Sequence, residues 1–249
     1  RIQRSEKPGQ PAPEPALWVD YGKDYYAAVS WSDIPKSDGR RLWLGWMSNW
    51  EYAQEVPTSP WRSAMSIPRQ VGLRRTAAGL RLVQKPVREQ TALRKQHYRF
   101  KGGDIAAANT WLKDKGIQGD QLELLIKLPE SSDGVQGLRL FQGSKEATVI
   151  GVDHKRGCVF VDRTQSGQVN FHPKFPGVHE APLLSHKNPT KLHIFVDACS
   201  VEVFVNDGES VLTDLVFPSP TSRGIEFFGP EDSARVGSVE VWELKSSWK

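Results

Sequence analysis

The stretch from Asp20 to Gln70 reads DYGKDYYAAVSWSDIPKSDGRRLWLGWMSNWEYAQEVPTSPWRSAMSIPRQ. Its apolar residues come in short runs, YYAAVSW and RLWLGWM, separated by KSDGR and followed by a loop carrying Pro57 and Pro60. Such runs, punctuated by Gly, Pro, Asp and Ser, are the pattern of strands joined by turns. Two further strands are expected in SAMSIPRQVGLR and, after TAAG, in LRLVQKPV. Four strands in simple succession have the content of one antiparallel propeller blade. A lone blade cannot close a ring, because blades bury their faces on neighbours, and the pattern has no second copy in the chain.

Outward from this segment, residues 1–16 (RIQRSEKPGQPAPEPA) are proline-rich with few large apolar side chains and read as a disordered or extended leader. The blade is assigned to residues 17–86. Residues 87–100, with TALRKQHYRF, read as a linker, either a short helix or an irregular connector. Residues 101–249 then carry a second series of strands: DQLELLIKL, GLRLFQG, EATVIGVD, CVFVDR, KLHIFVD, SVEVFV, SVLTDLVF, GIEFFG and VGSVEVWEL. The Asp207-Gly208 pair between SVEVFV and SVLTDLVF is a hairpin signal, since glycine supplies the positive φ of a tight turn. Many strands at short spacing and hardly any helix predict an all-β chain, a blade followed by a β-sandwich.

Composition narrows the function classes. With 38% hydrophobic and 10% aromatic residues in 249, the chain can bury a core. The net charge of +4 is spread along the chain rather than gathered in a basic run, which argues against nucleic acid as a partner. No apolar run approaches the ~18 residues of a membrane span, and residues 1–16 lack a signal-peptide pattern. Cys158 and Cys199 make no disulfide framework and read as free thiols. His172, His179, His186 and His193 recur every seventh residue, but Pro173, Pro176, Pro182 and Pro189 interrupt any helix that would align them, so no metal site is assigned.

Several separate strings, in order, carry a family resemblance: DYGKDYYAA, LWLGWMSNW and VPTSPWRSAMSIPRQ in the blade, then CVFVDRTQSG, FHPKFPGVHEAPL and KLHIFVDACSVEVFVNDGESVLTDLVFP in the sandwich. Together they resemble glycoside hydrolase family 32, the invertase, levanase and inulinase group. The resemblance implies the last blade of a five-bladed propeller with the family's C-terminal sandwich. It also implies retaining hydrolysis of β-fructosidic bonds in levan, inulin or sucrose: one carboxylate attacks the anomeric carbon while another protonates the leaving oxygen. It implies no metal or organic cofactor, and a family commonly secreted or periplasmic. The family's catalytic carboxylates lie in strings of the form N-D-P-N-G, R-D-P and E-C, none of which occurs here. No catalytic residue is therefore assigned, and the chain alone is expected to be inactive. A separate polypeptide carrying the earlier blades is the partner this reading calls for. The competing reading is a non-catalytic fructan-binding or interaction module.

The resemblance also supplies substrate-binding candidates. In Asp24-Tyr25-Tyr26-Ala27, matching D-[FY]-Y-A, it points Tyr26 at the sugar, and the first tryptophan of G-W-x-x-x-W, Trp46, resembles an aromatic wall near the scissile bond. A flat ring suits the C–H face of a sugar. Asp24 is a candidate acceptor for fructosyl hydroxyls, and Asn49 and Trp50 are candidates on the following loop. Six of the nine tryptophans fall between Trp18 and Trp61, and blade aromatics also serve inter-blade packing, the role expected of Trp31, Trp43 and Trp61. Glu51 and Glu55 read as solvated loop charges. Asp162, Arg163 and Glu202 are expected to make hairpin or interdomain contacts.

Overall fold

The computed structural model describes residues 17–247 except 77–78, 132–133, 185–188 and 231–232. The leader assigned to 1–16 lies outside the described residues. The N-terminal sheet holds β1 (Tyr26–Ser30), β2 (Arg41–Met47), β3 (Ala64–Met65), β4 (Arg69–Thr76) and β5 (Gly79–Pro86), in the order β1-β2-β4-β5 with β3 also pairing β2. The single strand expected over SAMSIPRQVGLR is thus two pieces. Pro68 offers no N–H to a ladder, and the chain between β3 and β4 turns instead toward the C-terminal part, where the Ile67 N–H donates to Glu202.

The segment 87–100 corrects the linker expected there. A 3₁₀ turn over Arg88–Leu93 leads into β6 (Arg94–Phe100), a strand of the C-terminal sandwich. Tyr98 and Phe100 pack against the core, while on the other face His97 stacks on Trp242 at 4.4 Å. An edge strand needs only one apolar side, so its polar composition hid it.

A short strand β7 (Gly103–Asp104) is followed by α1 (Ile105–Asp114), which the strand reading missed. Asp104 caps it, its side chain accepting from the Ala107 N–H. Ala108 and Leu112, four residues apart, bury one face, and Gly116 at φ 64° ends it. The remaining strands are β8 (Leu122–Leu128), β9 (Val135–Gln142), β10 (Ala147–Asp153), β11 (Cys158–Gln165), β12 (Val178–Pro182), β13 (Thr190–Asp197), β14 (Ser200–Val205), β15 (Ser210–Leu215), β16 (Gly224–Phe228), β17 (Arg235–Val236) and β18 (Ser238–Leu244). They form two antiparallel sheets, β12-β11-β10-β9-β16 and β15-β14-β13-β8-β18-β6, with β17 pairing β7. Leu124, Ile126, Leu138, Ile150, Val161 and Ile194 belong to the core between them. No helix among the described residues is long and apolar enough to cross a membrane.

The N-terminal sheet docks on the outer side of β14 and β15. Both strands are buried on both faces, with Val201, Val203 and Leu212 in the sandwich core and Glu202, Phe204 and Thr213 beneath the docked sheet. Gly208 marks the closest approach. Its φ is 85°, the Gln84 N–H donates to its carbonyl at 3.0 Å, and a Cβ there would fall 1.7 Å from the Gln84 oxygen. The hairpin glycine read as a turn former is also the seat of a neighbouring strand.

Candidate functional site: an aromatic platform anchored by buried arginines

Trp46 on β2 lies opposite Tyr26 of β1 and Met65 of β3. The Tyr26 and Trp46 rings meet edge to face with centroids 6.2 Å apart, and Trp50, on the loop after β2, tilts against Trp46 at 4.9 Å. Tyr26 is 54% exposed and Trp50 68%. Three aromatic rings therefore form one solvent-facing platform, with Met65 exposed beside Trp46. A bulge follows Tyr26, where Ala27 takes φ 48°, and bulges re-aim side chains at a sheet edge. Gly45, next to Trp46, carries no side chain because a Cβ would meet the Tyr25 ring at 2.4 Å. Burial pushes the Tyr25 hydroxyl up to about 12.

Asp24 and Asn49 do not join this platform. Asp24 is fully buried: Oδ1 accepts from the Tyr52 hydroxyl at 2.6 Å, and Oδ2 accepts from Arg163 and from the Leu215 N–H. A carboxylate with both oxygens engaged inside the protein is a structural anchor, which corrects the expectation that it receives sugar hydroxyls. Asn49 is likewise committed to the chain, donating to the Lys23 carbonyl and accepting from the Glu51 N–H. Trp31 and Trp61 are 42% and 50% exposed. Trp43 is half-buried, with its indole N–H unpartnered among the described residues.

Two buried arginines join the N-terminal sheet to the sandwich in reciprocal fashion. Arg69, on β4, donates to Asp20, Gln84, Glu202 and Thr213. Arg163, on β11, reaches the other way to Asp24 and the Tyr52 hydroxyl, with its remaining donors on the carbonyls of Phe175 and Leu215. Both guanidinium groups lie near aromatic faces, Arg69 4.1 Å from the Tyr25 centroid and Arg163 3.9 Å from that of Phe175. The contacts of Arg163 and Glu202 are interdomain, as expected, while Asp162 binds locally to Thr164. Nothing in the sequence singled out Arg69 or Tyr52.

Near the platform, Glu51 bridges Lys174 at 2.7 Å and Lys23 at 3.0 Å. The Lys174 contact, then that of Lys23, draws its carboxyl down to about 2, so it holds no proton for a leaving group at neutral pH. Glu55 is an exposed loop residue 3.9 Å from His172. His179 bonds Asp214 and His193 bonds Glu123, while His186 lies outside the described residues. Among the described residues, no group of three or more His, Cys, Asp and Glu could hold a metal ion. Cys158 and Cys199 are free.

The family description "Glycosyl hydrolases family 32 C terminal" matches residues 89–243. The chain belongs to glycosyl hydrolase family 32. The model of the family 32 N-terminal domain matches residues 3–86, so the match begins within the stretch read as a leader. This family 32 chain is 44% identical over 239 residues to a levanase of Bacillus subtilis, covering 95% of this chain and 35% of the relative. It is 32% identical over 243 residues to an extracellular exo-inulinase of Aspergillus awamori, covering 96% and 44%. The crystal structure of exo-inulinase from A. awamori superposes with a TM-score of 0.81 at 28% identity, covering 96% of this chain and 46% of that one. The family 32 chain thus spans between a third and a half of the length of these relatives.

Proposed function

We propose that this chain forms the C-terminal part of a β-fructosidase that hydrolyses fructans such as levan and inulin, or sucrose, by a retaining double displacement. The observation that carries this reading is the exposed platform of Tyr26, Trp46 and Trp50, in a chain that belongs to this family and is similar to levanases and exo-inulinases. The platform supplies one wall of the sugar site, its rings covering the apolar face of a fructosyl unit. The nucleophile and the acid belong to the portion of the relatives that this chain does not span, as further blades of a five-bladed propeller on the same or a separate polypeptide. The distribution of apolar surface supports this. Among the described residues, every exposed large hydrophobic except Val178 lies between Leu17 and Leu80, including Leu73 at 72% and Val29 at 64%. Surface of that kind is built to be covered.

A non-catalytic fructan-binding role is the second reading, favoured by the commitment of Asp24 and Glu51 to internal contacts. Fructose release from levan, inulin and sucrose separates the two. The chain alone is expected to release none, and the chain joined to the N-terminal portion of a family 32 relative is expected to release fructose with an apparent substrate affinity that Trp46→Ala lowers roughly tenfold. Fructan binding without restored hydrolysis would favour the second reading, and fructose release by the chain alone would refute the assignment of catalysis to other residues.

A further inference from the structure

Each exposed ring at the ends of the platform has a buried polar residue two positions away. Tyr26 is 54% exposed and Asp24 is 0%; Trp50 is 68% exposed and Tyr52 is 1%. The two buried members meet at Arg163. Its Nη1 donates to Asp24 at the entry to β1, and its Nη2 donates at 2.8 Å to the Tyr52 hydroxyl on the loop after β2. The Tyr52 hydroxyl in turn donates to Asp24. Asp214, 3.7 Å from Arg163, accepts the Lys23 N–H at 3.1 Å, and the Lys23 carbonyl accepts from Asn49 at 2.9 Å. The two segments that carry Tyr26 and Trp50 are therefore tied together from behind by a guanidinium that belongs to the sandwich.

On the solvent side the described contacts between the rings are one edge-to-face and one tilted, neither of which fixes direction as a hydrogen bond does. A planar fork holds its partners in fixed directions. Arg163 is fully buried, and each of its nitrogens has a partner. We propose that Arg163 is a positioning residue for the substrate wall: through Asp24 and Tyr52 it sets the relative placement of Tyr26, Trp46 and Trp50. The sandwich thereby shapes the sugar site without touching sugar. This rests on the reading of the platform as a sugar-binding wall, but the placement of the rings is observable without any sugar.

The Trp46 and Trp50 indoles are close enough to give an exciton couplet in far-ultraviolet circular dichroism. The full chain is compared with Arg163→Met, Tyr52→Phe and Arg74→Met, well below each thermal transition, together with the affinity for an inulin-type fructo-oligosaccharide. Arg74→Met removes a different interdomain contact, to Glu209 at 2.7 Å, and controls for loosened docking. Expected is loss of most of the couplet and roughly tenfold or greater weakening of binding in Arg163→Met, with both retained in Arg74→Met. Tyr52→Phe keeps the ring packed on Phe171 and Phe175, removes the bridging hydroxyl, and is expected to reduce the couplet. If Arg163→Met does not fold, Tyr52→Phe decides. An unchanged couplet in a folded Arg163→Met or in Tyr52→Phe overturns the proposal, as does an equal loss in Arg74→Met. A couplet that responds as expected in a chain that binds no oligosaccharide leaves the positioning role standing and counts against the non-catalytic fructan-binding reading.

Discussion

Arg163 of the sandwich and Asp24 at the entry to the N-terminal sheet form an ion pair with no exposure of either side chain, across the junction of two units that share no sheet among the described residues. An ion pair so buried adds little over a well-packed apolar contact, yet removing one partner strands the other in a medium that cannot solvate it.

Asp24→Ala is therefore expected to destabilise the chain by about 3–5 kcal/mol, seen as a lower midpoint in urea unfolding. Asp24→Asn, which keeps the shape and one acceptor, should cost less. Equal stability of Asp24→Ala and the parent would mean that the pair is not formed in solution.

Gly208→Ala tests the seat of β5 on the β14–β15 hairpin. The added methyl meets the Gln84 backbone, which cannot swing aside as a flexible side chain would, and the residue must hold φ 85°. Overpacking of this kind costs about 1–3 kcal/mol, and the loss should appear as early proteolysis within residues 17–86 while the sandwich persists. A neutral substitution would place the turn elsewhere.

The two arginine clusters respond to pH with opposite signs. Burial raises the Asp214 carboxyl, but the bond from His179, the His179 charge and the charge of Arg163 outweigh it, and the net shift is downward. Its contribution is thus present above the ordinary carboxylate range near 4 and is lost as pH falls through its lower folded value. Asp20 and Glu202 share one Arg69, and burial raises both. In the folded state they keep their protons to higher pH than in the unfolded chain, so their contribution falls as pH rises from that range through their folded values. Stability measured by chemical denaturation against pH should decline on both sides of a mildly acidic maximum. Asp214→Asn should flatten the acid limb, and an unaltered acid limb in that variant would contradict the assignment.

Trp46→Ala removes the ring that both other rings of the platform touch. A stacking aromatic contributes about 1.5 kcal/mol, or roughly a tenfold loss of affinity for fructo-oligosaccharide by calorimetry. Trp31→Ala, outside the platform, should leave the affinity unchanged. The reverse order would move the sugar surface to the far part of the N-terminal sheet.

Strand-forming runs such as LELLIKL and SVEVFV were legible because alternation and turn residues act locally, and the observed strands fall on them. The ordered strings of the N-terminal sheet and sandwich carried the family in the same way. Local signals also marked α1, with Asp104 before it and Gly116 after it, but its alanines gave the strand-centred reading little to resist. β6 was hidden because an edge strand has one polar face.

The sequence by itself determined the all-β class, the family and the aromatic identity of the platform, since these rest on residue type and spacing along the chain. Only the tertiary structure decided the fate of the polar residues. Asp20 and Glu202 sit between apolar neighbours as solvent-facing residues do, and Asp24 and Asp214 each stand beside a polar residue, yet all four lie within the junction. Whether such a carboxylate meets water, sugar or a guanidinium depends on which distant surface covers it, and that contact is made between residues up to 193 positions apart, as from Asp20 to Thr213.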